Sequence, residues 1–127
     1  MSLEAERPRG LWLLLVLLAA LVPYLPALRC GFVFDDHGLI ETSPAVTAPG
    51  PGPAFTLPYW PNQPDAGLFR PWTTASYWLD HRLFGLAPTA FHATNVALHV
   101  VISLLAYLIL VRLFPRRSGA TLACALL

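Results

Sequence analysis

Two long stretches of the chain carry no charge. Residues 10–28 (GLWLLLVLLAALVPYLPAL) form the first. Nineteen residues at about 1.5 Å each reach roughly 28 Å, the thickness of a hydrocarbon core. The run predicts a first transmembrane helix, kinked or ended in its last third by Pro23 and Pro26. A cleaved leader is the rival reading, because Arg7 and Arg9 precede the run. Leu25 and Ala27 make a poor small-x-small cleavage site, however, and Arg29 before Cys30 spoils a lipoprotein-type one. The second uncharged stretch runs from Leu83 to Val111. Pro88 limits where its helix can begin, and residues 91–111 predict a second transmembrane helix. Arg112, Pro115, Arg116 and Arg117 close it in a turn at 112–117. A third apolar run, 118–127, is too short to span and reads as the start of a third helix, so the chain is expected to be the N-terminal piece of a longer protein.

Between the spans the pattern changes twice. Residues 30–41 (CGFVFDDHGLIE) set apolar side chains around an acidic pair. Residues 42–67 contain seven prolines, too many for regular structure, and predict a mobile, variable loop rather than one of fixed shape. From Leu68 to Gly85 helical spacing returns. Pro71 suits a first helical turn. Trp72, Ala75, Leu79 and Leu83 recur at 3, 4 and 4, one apolar stripe. With Tyr77, Trp78 and Phe84 nearby, residues 71–84 predict a short helix lying on the membrane surface. The fold class is therefore all-α integral membrane: two transmembrane helices, a loop of residues 29–90 with a surface helix, and the start of a third span.

Composition supports this and adds an orientation. Hydrophobic residues make up 56% of the 127 and charged ones 12%, about half the usual charged share. The net charge of +1 excludes a basic nucleic-acid binder. All eight basic residues are arginine. Arg7 and Arg9 flank the first span, while Arg112, Arg116 and Arg117 follow the second. The intervening loop holds Asp35, Asp36, Glu41, Asp65 and Asp80 against three arginines. The positive-inside rule puts residues 1–9 and 112–117 in the cytoplasm and 29–90 outside. Cys30 and Cys124 fall at different depths, so no disulfide is expected, and no Cys/His spacing points to zinc.

Three groups are candidates for chemistry. Asp35 and Asp36 are adjacent and repel each other, and Phe32, Val33 and Phe34 are placed to exclude water from them. Both effects strengthen a carboxylate as a proton acceptor. The pair suits a general base or a divalent cation; a plain solvated turn is the alternative. Arg70 stands where a guanidinium can meet a phosphate near the headgroups, a role ordinary lipid contact also explains. His92, Asn95 and His99, at i, i+3 and i+7, share one helix face, which Tyr107 roughly continues. Polar groups there line a substrate cavity or join helices by hydrogen bonds.

A first span, FVFDD, a Pro-rich loop, FRPW, a surface helix and FHATNVALH entering the second span occur in that order. The set resembles the N-terminal part of polyprenyl-phosphate-sugar-dependent glycosyltransferases of the GT-C class, on the protein O-mannosyltransferase-like branch. That branch includes the transmembrane and tetratricopeptide-repeat mannosyltransferases and their bacterial relatives. The resemblance implies a bacterial inner-membrane enzyme with its active site on the extracytoplasmic face. It implies Asp35 as catalytic base with Asp36 beside it, and Arg70 on the phosphate of the lipid-linked donor. It implies His92, Asn95 and His99 as cavity-lining residues. The partners would be the bilayer, a polyprenyl-phosphate-linked sugar and a protein or glycan acceptor, with a divalent metal, if used, at Asp35 and Asp36. A small multispanning anchor or assembly protein without catalysis is the alternative.

Overall fold

The computed structural model describes residues 9–114. Arg7, Arg116, Arg117, Cys124 and the third apolar run lie outside the described residues. Among these residues the elements are helical and no strand occurs. Helix α1 (Arg9–Leu21) continues as a 3-10 helix over Val22–Arg29. A single wide π turn spans His37–Glu41, and short 3-10 turns cover Gly52–Phe55 and Pro64–Ala66. Helix α2 is Pro71–Phe84 and helix α3 is Pro88–Leu113.

The prolines set most of these boundaries. Pro23 and Pro26 have no N–H for the carbonyls four residues back, so α1 gives way to the tighter helix at Val22. Pro71 and Pro88 each sit in a first helical turn, where the missing N–H costs nothing. The second apolar helix therefore starts three residues before the 91 expected and ends two residues after 111. Gly10–Arg29 and Pro88–Leu113 are both long and apolar enough to cross a membrane.

The chain divides into two compact units. Among the described residues, one combines 9–27 with 95–114. Its core is small: Val16 and Tyr107, with Trp12, Leu104, Leu110 and Val111 packed around them. Leu14, Leu18, Ile102, Leu105 and Ile109 stay exposed. Tyr24 meets His99 edge-on at 4.8 Å, beside a cleft of about 380 Å³ floored by Ala19, Ala20 and Ser103.

The other unit, Leu28–Thr94, has a better-filled core despite its irregular backbone. Leu39, Ile40, Val46 and Phe91 are buried together, with Phe32, Tyr59, Trp60 and Tyr77 against them. The Pro-rich segment is part of this packing, which departs from the mobile loop expected. Val46 is 0% and Ala54 1% exposed. Ser43 accepts the N–H groups of Val46 and Thr47 at 3.1 and 3.0 Å. The Trp78 indole donates to the Ala48 carbonyl at 3.0 Å, the Gly52–Phe55 turn packs on α2, and Phe55 meets Trp72 at 5.5 Å. The prolines that prevent regular structure also fix φ, which lowers the entropy lost in holding one irregular path.

Helix α2 is amphipathic in the reverse sense. Thr74 and Asp80 are buried and Tyr77 is half-buried, while Trp72 is 79% and Leu83 63% exposed. The polar face packs on the unit's core and the apolar stripe points away from it.

Candidate functional site

Backbone constraint concentrates just after Phe32. Phe34 has φ = 44°, a left-handed conformation that a β-carbon disfavours. Asp36 closes the turn from both sides. Its N–H donates to the Val33 carbonyl at 3.0 Å, and its Oδ2 accepts the Val33 N–H at 3.1 Å. Asp36 is half-buried and Asp35 is exposed. The carboxylates thus differ: Asp36 shapes the turn, and Asp35 is presented by it. The shielding expected from the aromatic flank is largely missing. Val33 is exposed and Phe34 is 91% exposed, because the left-handed turn directs them outward. Only Phe32 packs inward, meeting Phe91 at 5.4 Å.

The chain then enters the wide turn. The Thr42 N–H reaches the His37 carbonyl at 3.1 Å, and the Thr42 hydroxyl donates to the same oxygen. This spacing sends Leu39 and Ile40 into the core, while His37 pairs with Glu41 on the surface. Single π turns are common near functional sites.

Arg70 caps the start of α2. Its carbonyl accepts the Thr74 N–H at 3.0 Å and the Thr74 hydroxyl at 3.1 Å, so its backbone is fixed. Its guanidinium carbon lies over the Tyr59 ring, 5.2 Å from the centroid. Tyr59 is brought there by its N–H, which donates to the Leu68 carbonyl at 2.9 Å.

Tyr77, two turns along α2, is the common neighbour. It packs on Phe91, and both it and Tyr59 lie against the unit's buried cluster. Its hydroxyl is held well above the ordinary tyrosine value, first by burial. The charge and hydrogen bond of Tyr59 act the same way, as does the Asp36 carboxylate, and only Arg70 opposes them. Tyr77 is therefore a neutral phenol within electrostatic reach of both Asp36 and Arg70.

A second polar contact joins α2 to the first turns of α3. The Thr94 hydroxyl donates to Asp80 Oδ1 at 2.8 Å. Burial raises the Asp80 carboxyl above its ordinary value, and the Thr94 hydrogen bond partly offsets this. Nearby in sequence, His81 Nδ1 and His92 Nε2 are shielded from solvent without a hydrogen-bond partner among the described residues.

Of the stripe on α3, His92 belongs to the Leu28–Thr94 unit, whereas Asn95 and His99 belong to the helical pair. Asn95 is exposed and His99 stacks on Tyr24. Among the described residues no three His, Cys, Asp or Glu gather as a metal site, and Asp35 and Asp36 have no third ligand of those types. The sequence reading missed Tyr59 as a partner of Arg70, Tyr77 as a core-packed neighbour on α2, and the Asp80–Thr94 pair. A signal for part of this was present: Thr74, Tyr77 and His81 recur at 3 and 4, the helical spacing of a second, polar stripe.

Comparison with known proteins finds relatives over most of the chain. No family model matches, and no solved structure matches. Protein O-mannosyl-transferase F38B6.6 of Caenorhabditis elegans is 31% identical over 110 residues, which is 82% of this chain and 16% of that protein. Protein O-mannosyl-transferase Tmtc1 of Drosophila melanogaster is 34% identical over 114 residues, 84% of this chain and 13% of that one. Both relatives are animal proteins, whereas the sequence resemblance pointed to the bacterial members. The chain is distantly similar to protein O-mannosyl-transferases and spans about one-sixth or less of the length of these two.

Proposed function

We propose that this chain forms the donor-binding, extracytoplasmic face of a membrane glycosyltransferase. The enzyme moves a sugar from polyprenyl phosphate to a hydroxyl of a protein or glycan acceptor. The relatives' names make mannose the first sugar to test. The observation that carries the reading is one compact unit that holds both the turn braced by Asp36 and the Arg70 guanidinium over Tyr59, in a chain similar over more than four-fifths of its length to two O-mannosyl-transferases. Because the matched part is 16% and 13% of those proteins, the remainder of the cavity falls to structure beyond these residues.

In this reading the N-terminus is cytoplasmic, Gly10–Arg29 and Pro88–Leu113 cross the bilayer, and the loop between them faces out. The outward apolar stripe of α2 supports contact with the outer leaflet, since Trp72 and Leu83 otherwise meet water. A site at the membrane surface suits a donor whose phosphate is tied to a lipid. The acceptor oxygen attacks the anomeric carbon, and the exposed Asp35 carboxylate takes its proton. The bond from that carbon to the phosphate oxygen breaks, its electron pair stays on the phosphate, and Arg70 stabilises the added charge. Asp36 holds the turn that presents Asp35. A divalent metal at the Asp35–Asp36 turn would require ligands from the donor phosphate or from water.

The test is transfer of radiolabelled mannose from a polyprenyl-phosphate donor to a Ser/Thr peptide by the full-length gene product in membranes. Asp35→Asn should lower transfer by roughly 10² or more while donor binding survives. Transfer at the wild-type rate in both Asp35→Asn and Asp36→Asn would remove the acidic turn from the mechanism. Topology is checked separately at Cys30, which is exposed and should react with a membrane-impermeant maleimide in intact cells or sealed, lumen-out vesicles.

A further inference from the structure

Arg70 is exposed, and among the described residues no carboxylate pairs with it at salt-bridge distance. A long side chain with that freedom normally samples many rotamers, and ordering it on a ligand costs affinity. Here its guanidinium already lies over the Tyr59 ring. An aromatic face attracts the cation but occupies none of its N–H donors, so all five remain available for an oxyanion. Tyr59 is itself held at three points. Its N–H donates to Leu68, its side chain packs against the buried cluster of Leu39, Ile40, Val46 and Phe91, and its ring meets Trp60 edge-on at 5.4 Å. Tyr77 is in turn seated on Phe91, which is 1% exposed. Packing thus leads from the core through Tyr59 to the guanidinium, with Tyr77 on the same cluster.

We propose that Tyr59 is a positioning residue that pre-orders Arg70 for a phosphate monoester or diester, with Tyr77 fixing the Tyr59 ring. The inference rests on the reading of Arg70 as the phosphate contact. It extends that reading from one residue to a three-residue relay whose outer end is aromatic rather than ionic. The ring supplies the restraint, so phenylalanine should replace Tyr59 better than an aliphatic residue of similar bulk.

The experiment is a titration of the full-length protein in lipid nanodiscs with farnesyl phosphate, read by intrinsic tryptophan fluorescence or microscale thermophoresis. Farnesol and inorganic phosphate are separate arms, and the nanodiscs are made with and without anionic phosphatidylglycerol. Arg70→Gln should weaken farnesyl phosphate about 10-fold, Tyr59→Leu about 3- to 5-fold, and Tyr59→Phe less than about 2-fold. Tyr59→Leu should add nothing in the Arg70→Gln background, and farnesol should be indifferent to both changes. A Tyr59→Leu loss that persists in the Arg70→Gln background marks a structural role and overturns the inference. So does an unchanged affinity in Tyr59→Leu where Arg70→Gln is impaired, and in that case the Arg70 reading stands. If Arg70→Gln binds farnesyl phosphate as the wild type does, the Arg70 reading fails and takes the relay with it. Loss of the Arg70 effect only in phosphatidylglycerol discs identifies a headgroup contact and also overturns it. Melting temperatures on the same samples separate a misfolded variant from a displaced guanidinium, and Tyr59→Trp, which keeps the cation–π face, should restore binding.

Discussion

The two units use apolar side chains in opposite ways. The helical pair has regular backbone, saturated with internal hydrogen bonds, yet buries little: Val16 and Tyr107 pack while leucines and isoleucines along both helices face outward. The Leu28–Thr94 unit has little regular backbone and buries Leu39, Ile40, Val46 and Phe91 under a layer of aromatics. A helix carries its backbone hydrogen bonds with it and can stand in lipid without a core. An irregular chain cannot, and must hold its shape by specific anchors such as Trp78 to Ala48 and Asp36 to Val33. Point changes should therefore be felt strongly in the loop unit and weakly between the spans.

Phe91→Ala tests that contrast most severely. It removes the ring on which Phe32 and Tyr77 pack and should cost about 3–5 kcal/mol. Hydrogen exchange in detergent should show loss of protection across residues 28–94 with residues 10–21 and 98–113 unaffected. Equal loss in both regions would mean that they fold as one.

Thr94→Val comes next. It leaves the Asp80 carboxyl buried without its hydroxyl partner and should cost about 1–3 kcal/mol. It should also raise the Asp80 value further, because the Thr94 hydrogen bond is what lowers it. A carboxyl raised on folding destabilises only where it is ionised in the unfolded chain. For Asp80 that penalty is absent below the ordinary value of 3.8, grows as pH climbs to the folded value, and is complete above it. Asp80→Asn should then melt above the wild type at neutral pH, and the two curves should converge near pH 4. Parallel curves across that window would exclude Asp80 as the titrating group.

Phe34→Gly has a smaller effect of opposite sign. The ring is almost fully exposed, so its removal forfeits little packing in the unit, and glycine accepts φ = 44° without penalty. A gain of about 1 kcal/mol in detergent is expected. A loss there would show that the ring has a partner. The smallest effect belongs to the spans. Tyr107→Phe deletes a buried hydroxyl that has no hydrogen-bond partner among the described residues, and the melting temperature should stay level or rise slightly. A clear drop would reveal an acceptor for that hydroxyl.

Regular structure was legible where one residue type dictates it. Uncharged runs of sufficient length gave two apolar helices, and Pro71 and Gly85 bracket α2. The Pro-rich segment was misread because proline content reports the absence of a ladder, not the absence of a core. Val46 and Ala54 are unremarkable in sequence and buried only through contacts with distant residues. In the candidate site, Asp36 and Arg70 could be nominated from residue type and place. The seat of Arg70 on Tyr59 could not, since it depends on the Tyr59–Leu68 pairing. The outward stripe of Trp72 and Leu83 agrees with the surface helix expected, whereas the contacts of its inner face with the loop were not legible.

The reversed α2 also has a consequence for the order of biogenesis. A helix that seats its polar side against the protein and offers Trp72 and Leu83 outward has no favourable final position in water. During synthesis α2 is made after the first apolar helix and before the second. In the proposed topology its stripe is exposed apolar surface on the nascent chain until the bilayer receives it. The Pro-rich segment, already constrained in φ, reduces what must still be searched at that moment. Maturation of the loop should accordingly track membrane insertion, and a soluble version lacking the spans should aggregate through α2 even with its aromatic core intact.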